Sequence, residues 1–394
     1  MILSEHKIWL FSLFLFLALV SGGCSMQYCE DELNSKPDPN LFLVLNIATN
    51  ESGRSLTRAG EFSFEQPELD TEKINSLRVI IAENKEGDAQ NKIKYNVSYD
   101  FLSSFAVSGL RYKIDFECPY KIYLIANEQS LSDDVQKKLK DLDPDAIYDA
   151  NTLENIDLTA SNYVQIDNTS SDPKPIAMSE IFEIDPYPHP DNNIENQTVT
   201  FEKNLFVTRT TTKFSFQIKK GDDVADAALK VKSIKITGLG DKEFLFPKNT
   251  VYSPVKDTPS SEPFGGREIT SFDLPEKCGV GDYVFTLPEN MSSIDGSGIE
   301  YAPPIYFTES KGNAEGGKFT CSISMDGEYY LGPLTLPNLG VLPRNTHVKV
   351  IITINNKSLK AEVSLVPYIG CILDPSFGLA DEEENGNEDE TTEE

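Results

Sequence analysis

The sequence predicts an all-β protein made of two consecutive β-sandwiches with one or two short helices. Runs rich in Val, Ile, Leu and aromatic residues recur along the 394 residues and are separated by clusters of Asn, Asp, Gly and Pro, which is typical of strands joined by turns. The runs fall into two groups on either side of residues 179–197, where three prolines stand within five residues. No short period repeats along the chain, which argues against a solenoid or a propeller.

The N-terminus has the composition of an export signal. Lys7 precedes an apolar run at 8–20, which has the length of a signal-peptide core and is too short to span a membrane. The residues at 21–23 are small and stand directly before Cys24, as lipoprotein processing requires. We predict a lipoprotein signal peptide at 1–23 and a lipid, including palmitate, on Cys24. The alternative is a plain cleaved signal in which Cys24 is an ordinary cysteine.

The elements that follow the signal can be placed in order. Residues 25–40 are polar and contain prolines, which is typical of a tether. The run LFLVLNIA at 41–48 has the length and composition of a strand buried on both faces, and a polar loop with Arg54 and Arg58 comes after it. One helix is predicted after Ser132, a good N-cap that is followed by two aspartates and then by three lysines.

The charge of the chain restricts its partners. There are 63 acidic and 35 basic residues, a net charge of −28, and such a field repels nucleic-acid phosphates and anionic membrane surfaces. Nine of the last fourteen residues are acidic and none is basic. We therefore predict a disordered, solvated tail at 380–394 and no nucleic-acid partner.

No pattern in the sequence predicts catalysis. Beyond the signal there are two histidines, His189 and His347, and neither belongs to a nucleophile or metal motif; a G-x-S-x-G elbow, an H-E-x-x-H motif, a P-loop and a CxxC pair are all absent from the sequence. Cys118 lies in an apolar run and is predicted to pack as a small hydrophobic side chain. We predict a protein that is not an enzyme and that has no metal and no cofactor.

The order of these elements resembles the type V fimbrial subunits (fimbrillins) of the Bacteroidia. The leader and the first strand resemble the N-terminal region of that family, YKIDFECPYKIYLIANE resembles paired core strands of its first domain, and LFVTRTTTKFSFQI resembles the opening strand of its second domain. The motifs that carry the resemblance are LFLVLNIA at 41–48, SLTRAG at 55–60, INSLRVIIAEN at 74–84, YKIDFECPYKIYLIANE at 112–128, LFVTRTTTKFSFQI at 205–218, LPRNTHVKVIITIN at 342–355 and VPYIGCILDPSFGL at 366–379.

The resemblance implies a fold and a route of assembly. It implies transthyretin-like sandwiches at 59–197 and 198–379, preceded by a propeptide at 24–58. Precursors of the family are exported as lipoproteins to the outer membrane, where an Arg-specific protease removes the first strand. The loss of that strand leaves a groove in the sandwich, and a strand from a neighbouring subunit then fills this groove. On this chain the expected cut falls between Arg58 and Ala59, with cleavage after Arg54 as the second choice. The removable strand consists of Leu41, Phe42, Leu43, Val44, Leu45, Asn46, Ile47 and Ala48.

The C-terminus departs from the stalk subunits of the family, which end on a donor strand. This chain ends on an acidic segment that could not line an apolar groove. The sequence therefore predicts a fimbrial tip subunit for cell adhesion and biofilm formation, whose partners are other subunits and a ligand on host or bacterial surfaces. The alternatives are a stalk subunit and a permanently lipid-anchored glycan-binding protein of the outer membrane; a single tryptophan, Trp9 in the leader, argues against the latter.

Overall fold

The computed structural model of the chain describes residues 40–49, 70–86, 90–115, 118–159, 174–186, 198–222, 224, 229–249, 272–286, 293–294, 299–312, 319–325, 330–337, 339–355 and 358–367. By its internal contacts the chain divides into two units. One unit consists of residues 1–40 and 191–199, of which only residues 40, 198 and 199 are described. The other consists of residues 41–190 and 200–394 and contains nearly all of the structure reported below.

Two sandwiches account for most of the described strands. The first contains β1 (Asn40–Thr49), β2 (Ile74–Glu83), β3 (Ile93–Ser104), β4 (Ala106–Ile114), β5 (Tyr120–Ala126), α1 (Asp133–Lys140), α2 (Ala150–Glu154), β6 (Asp157–Thr159), β7 (Met178–Ile184) and β8 (Thr198–Arg209). The second contains β9 (Thr211–Lys220), β10 (Leu229–Gly240), β11 (Lys242–Phe244), β12 (Val280–Thr286), β13 (Ser293–Ile294), β14 (Ile299–Thr308), β15 (Thr320–Met325), β16 (Tyr330–Thr335), β17 (Thr346–Ile354) and β18 (Leu359–Pro367).

Apart from β6, which pairs with β11, the strands of the first sandwich form one sheet of seven strands that is folded over on itself. Its strand order is β3-β2-β5-β7-β8-β1-β4, and the fold lies at β7 and β8, which pair only at Met178–Arg209 and Ser179–Thr208. The two ends of the sheet meet across the core, where the hydroxyls of Tyr99 in β3 and Tyr112 in β4 lie 2.9 Å apart. The layers are therefore β3-β2-β5-β7 and β8-β1-β4.

The helices cover the outer face of the first layer. Ile80 and Tyr123 pack there against Val135 and Leu139 of α1, and the alternate residues of β2 and β5 face the other layer. The start of α1 is as predicted, because the Ser132 hydroxyl accepts a hydrogen bond from the Val135 amide at 3.3 Å. The all-β class with few helices is confirmed.

The second sandwich has two layers of its own. One is β12-β10-β15-β16 with β13 beside β10, and the other is β14-β9-β17-β18, in which β9 and β17 run parallel. Aromatic side chains fill the space between the layers: the rings of Phe214 and Phe307 meet edge to face at 5.1 Å, and Tyr283 contacts Phe307 in the same way. This core is separate from that of the first sandwich.

Two sequence expectations differ from the structure. The run LFVTRTTTKFSFQI is not one opening strand, because Thr210 bonds Ala177 through its amide and its hydroxyl and the chain passes there from β8 in the first sandwich to β9 in the second. The sheets thus part at Thr210 rather than at residue 198. The two strands of YKIDFECPYKIYLIANE do not pair with each other, since β4 pairs with β1 while β5 pairs with β2 and β7.

Buried ionic groups join the two sandwiches. Arg344, which is fully buried before β17, donates to the Glu309 carboxylate at 2.9 and 3.1 Å and to the carbonyls of Phe244 and Leu245. The Leu245 side chain packs in the core of the first sandwich, so its bond to Arg344 connects the two sandwiches. Burial alone lowers the pKa of Arg344, but Glu309 and Glu243 outweigh it and raise that pKa above its usual value. Burial raises the pKa of Glu243 to about 8. The Glu309 carboxylate is the charged group to which the Arg344 guanidinium donates.

A second buried group makes the same connection from the other side. Glu72 lies in a 3-10 turn at Asp70–Glu72 before β2 and is fully buried. It accepts a hydrogen bond of 2.9 Å from the Tyr306 hydroxyl in β14, and the ammonium of Lys213 in β9 lies 3.3 Å away. With the short β6–β11 pairing, these contacts hold the sandwiches together.

We expect Arg344→Met to lower the free energy of unfolding by about 3–5 kcal/mol, because it leaves the buried Glu309 carboxylate without its cation. Lys360→Met is the matched control, since Lys360 pairs with Glu362 at 3.1 Å but both side chains are exposed. That change is expected to cost less than about 1 kcal/mol. Urea denaturation of the two variants measures the difference, and equal losses would contradict the buried ion pair.

Candidate functional site

The first strand presents one apolar face to the core. Leu41, Leu43, Leu45 and Ile47 of β1 are at most 1% exposed, whereas the side chains between them are half-buried on the other face. The eight residues predicted as a removable strand lie within β1. The expectation that both faces are buried was wrong, because the outward face of the β8-β1-β4 layer is only half covered.

The position of β1 in the sheet gives it two strand neighbours. It lies between β8 and β4 and is antiparallel to β4, with Leu41 opposite Ile114 and Leu43 opposite Tyr112. At its end the Thr49 amide donates to the Phe105 carbonyl at 2.8 Å. Both edges of β1 are therefore occupied, and its loss would separate β4 from β8.

The inward side chains of β1 close the core between the layers. Leu77, Val79 and Ile81 of β2 are fully buried on the face that carries Tyr99 of β3, and Tyr99 reaches Tyr112 beside Leu43. Full burial of one Leu or Ile side chain contributes about 1.5–3 kcal/mol, so the four inward side chains of β1 contribute on the order of 6–12 kcal/mol. A domain has a net stability of about 5–15 kcal/mol. The first sandwich therefore needs either β1 or another strand in its place.

A β-bulge interrupts the pairing of β1 with β4. Leu45 stands opposite Leu110 and Ile47 opposite Val107, so two residues of β4 oppose the single residue Asn46. One of them is Gly109, whose φ of +75° lies in the left-handed region that favours glycine. The bulge fixes which residue of β1 faces this point of β4.

Asn46 connects the three strands of its layer. Its side-chain amide donates to Glu202 at 2.6 Å and to Asn204 at 2.9 Å, both on β8, and its carbonyl accepts from the Gly109 amide on β4 at 3.0 Å. The sequence showed Asn46 as the one polar residue of an apolar run but gave no sign of its partners, since Glu202 lies 156 residues away.

The outward face also carries basic groups on β4. The Arg111 guanidinium lies 3.9 Å from the centroid of the Phe42 ring, a cation–π contact, and Arg111 stands opposite Val44 in the register. The two walls of the site thus differ in charge, with Glu202 on β8 and Arg111 on β4.

The other predicted site residues lie outside the described part of the chain. These are the lipidation residue Cys24 and the processing residues Arg54, Arg58 and Ala59. The strand β1 ends at Thr49 and the next described residue is Asp70, so the expected cut falls in the interval between them. Their roles remain predictions.

Other side chains that could act in catalysis or bind a metal have structural roles. His347 is buried, with its Nε2 2.8 Å from the Ser215 hydroxyl, and burial together with Lys349 lowers its pKa to about 3. Cys118, Cys278 and Cys321 are free thiols, and Cys118 is buried as expected. Within the described ranges no three His, Cys, Asp or Glu side chains gather closely enough to hold a metal ion, and no helix there reaches the length and apolarity that a membrane crossing requires.

A cleft of about 700 Å³ lies beside α1, around the ion pair of Arg78 and Glu128. The Arg78 guanidinium donates to both carboxylate oxygens of Glu128, at 2.5 and 2.8 Å, and to the Asn96 side chain at 2.7 Å. The lining side chains described are all polar, so they offer no aromatic platform of the kind on which a sugar stacks.

We expect Leu43→Ala to lower the free energy of unfolding by about 2–5 kcal/mol, because it opens a cavity in the core between the layers. Val44→Ala is the matched control, since Val44 is the next residue and lies half-buried on the outward face. Its cost is expected to be about 1 kcal/mol. Denaturant titration of the full-length chain tests the difference, and a greater loss at Val44 would show that the assigned faces are reversed.

Comparison with known proteins shows similarity of structure. No protein-family model matches the sequence, and no curated protein matches it. A protein of Parabacteroides distasonis ATCC 8503 described as a cell adhesion protein aligns with a TM-score of 0.50 at 9% identity, over 84% of this chain and 98% of its own. The tip fimbrial protein Mfa3 from Porphyromonas gingivalis, truncated at its C-terminus, aligns with a TM-score of 0.48 at 11% identity, over 84% and 100%. The first of these alignments shows a shared fold, in agreement with the all-β class expected from the sequence.

Proposed function

We propose that this chain is a structural subunit of surface fimbriae that serves cell adhesion and biofilm formation and has no catalytic activity. It is assembled by proteolytic removal of β1 and insertion of a strand from another subunit. The fold that it shares with a cell adhesion protein supports this proposal. The observation that carries it is the position of β1, the first strand that the structure describes, which lies in the middle of its layer between β8 and β4.

A chain that lost β1 would expose a site suited to strand insertion. The edges of β8 and β4 that face β1 would lose their backbone partners, and the apolar floor around Leu77, Val79 and Ile81 would be open to water. An extended strand with apolar residues at alternate positions restores both the hydrogen bonds and the burial. The need for a replacement strand then drives subunit association.

The N-terminal segment gives this process an order. Cys24 carries a lipid that holds the precursor at the outer membrane, and a cut at Arg58 releases the chain from the lipid together with β1. The anchor is thus transient, and the protein moves from the membrane to a fimbrium on the cell surface. Strand removal and release are one event, because the segment at 24–58 contains both the lipid and β1.

The C-terminus supports a tip position. The strand β18 is already paired in its own sandwich, at the edge of the layer β14-β9-β17-β18 and in register with β17 from Leu359 to Pro367. The apolar run AEVSLVPYIGCIL at 361–373 overlaps this paired strand, and the residues at 381–394 are mostly acidic and could not line an apolar groove. A subunit that accepts a strand and donates none belongs at the end of a fibre, where its exposed surface can contact host cells, other bacteria or glycans.

Processing is tested by N-terminal sequencing of the protein isolated from the cell surface. We expect the mature chain to begin at Ala59, and we expect Arg58→Ala, but not Arg54→Ala, to leave the chain membrane-bound and uncleaved. A lipidated start at Cys24 on every wild-type copy would contradict strand removal and would indicate a permanently anchored protein.

The tip position is tested by deletion of residues 368–394, which leaves β18 complete. Fimbriae are expected to reach normal length, because a tip subunit donates no strand. Electron microscopy of fimbrial length measures the result, with the full-length gene as the control. Short fimbriae in the presence of a correctly processed deletion variant would assign the chain to the stalk.

A further inference from the structure

We propose that the outward face of the groove selects the incoming strand by the side chain that this strand places opposite the bulge of β4. An amide is favoured there, and a carboxylate is rejected. This inference rests on the proposed strand insertion and states the chemistry of the partner: apolar residues at the positions of Leu41, Leu43, Leu45 and Ile47, with Asn or Gln at the position of Asn46.

The contacts of Asn46 require a group that both donates and accepts. Its nitrogen donates to Glu202 at 2.6 Å and to Asn204 at 2.9 Å, and its oxygen accepts from the Gly109 amide at 3.0 Å. Asn and Gln are the side chains that combine two N–H donors with a carbonyl acceptor. A lysine or arginine could donate to Glu202 but would bring a second donor to the Gly109 amide.

The bulge explains why a side chain is needed at this point. Two residues of β4 oppose Asn46, so the regular ladder is interrupted there and the Gly109 amide turns to the Asn46 side chain. Gly109 has a φ of +75°, and a Cβ built on it would meet nothing within 4 Å. Glycine is thus required by the backbone conformation rather than by lack of space. Whichever strand fills the groove meets the same bulge.

Charge decides against an acidic residue at this position. An aspartate in place of Asn46 would put a carboxylate at hydrogen-bonding distance from Glu202, and like charges on adjacent strands repel. Two residues before Asn46 the neighbouring charge is positive instead of negative, because Val44 stands opposite Arg111. The same change from Asn to Asp should therefore weaken binding at position 46 and strengthen it at position 44.

The test uses the full-length chain with a specific protease sequence placed within residues 50–69. After cleavage the protein is unfolded in urea and refolded with an excess of labelled peptide, so that the peptide and the native fragment compete for the groove. The peptides carry the sequence of residues 40–49 with the same soluble flanking residues. The variants are Asn46→Asp, Asn46→Gln, Val44→Asn and Val44→Asp.

The Asn46→Asp peptide is expected to be incorporated about tenfold less well than the parent, which corresponds to about 1.4 kcal/mol. The Val44→Asp peptide is expected to be incorporated at least as well as Val44→Asn. Glu202→Lys in the chain should reverse the preference at position 46 and restore incorporation of the Asn46→Asp peptide. Glu202 is exposed, so this substitution leaves the core intact.

The outcomes separate this inference from the proposed function. If the parent peptide is not incorporated, or if the cleaved chain does not refold with it, strand replacement itself is wrong. If all peptides are incorporated equally in the wild-type chain, strand replacement stands and selection at the bulge is overturned. If the Glu202→Lys chain and the wild-type chain incorporate the Asn46→Asp peptide equally, Glu202 is likewise excluded as the selecting group.

Discussion

The first sandwich depends on a single strand position, between β8 and β4, whose occupant must pair with both neighbours. Backbone amide and carbonyl groups in a sheet must be paired, and β1 supplies the partners for β8 on one side and for β4 on the other. No other described strand bridges those two. The same position closes the core through four side chains from Leu41 to Ile47 that are at most 1% exposed. A chain can lose this strand only if another segment takes both roles.

The rest of the molecule supports the floor beneath this strand position through contacts that do not involve β1. The central strands β2 and β5 of the first layer are buried on nearly all positions of both faces, with α1 packed against Tyr123 on the outside, so the floor beneath β1 has support that does not involve β1. The bond from Arg344 to the Leu245 carbonyl and the bond from Tyr306 to Glu72 tie the first sandwich to the second, and these buried contacts also leave β1 out. These contacts of α1, Arg344 and Glu72 would therefore remain if β1 were removed.

Local signals in the sequence predicted individual strands and helices. The features that sequence reasoning missed depend on contacts between residues far apart in the chain. The Ser132 cap and the apolar run at 41–48 depend on residues close together in the chain, and both elements form where they were expected. The break at Thr210 was missed because the strand-like pattern continues through it, and only the bonds to Ala177 turn the chain. The bridge from Asn46 to Glu202 spans 156 residues and needs the strand order, which no local pattern gives.

Affinity and register come from different faces of β1. Its inward residues are three leucines and an isoleucine at a spacing of two, so a strand that slipped by two residues would still place aliphatic side chains in most of the same positions. Apolar burial alone therefore holds a strand in the groove without fixing its alignment. The bulge at Gly109 breaks that degeneracy, because it occurs once along β4 and its amide is met by the single polar side chain of the run. We therefore expect this contact on the half-buried face, rather than the apolar core, to determine the register of the strand.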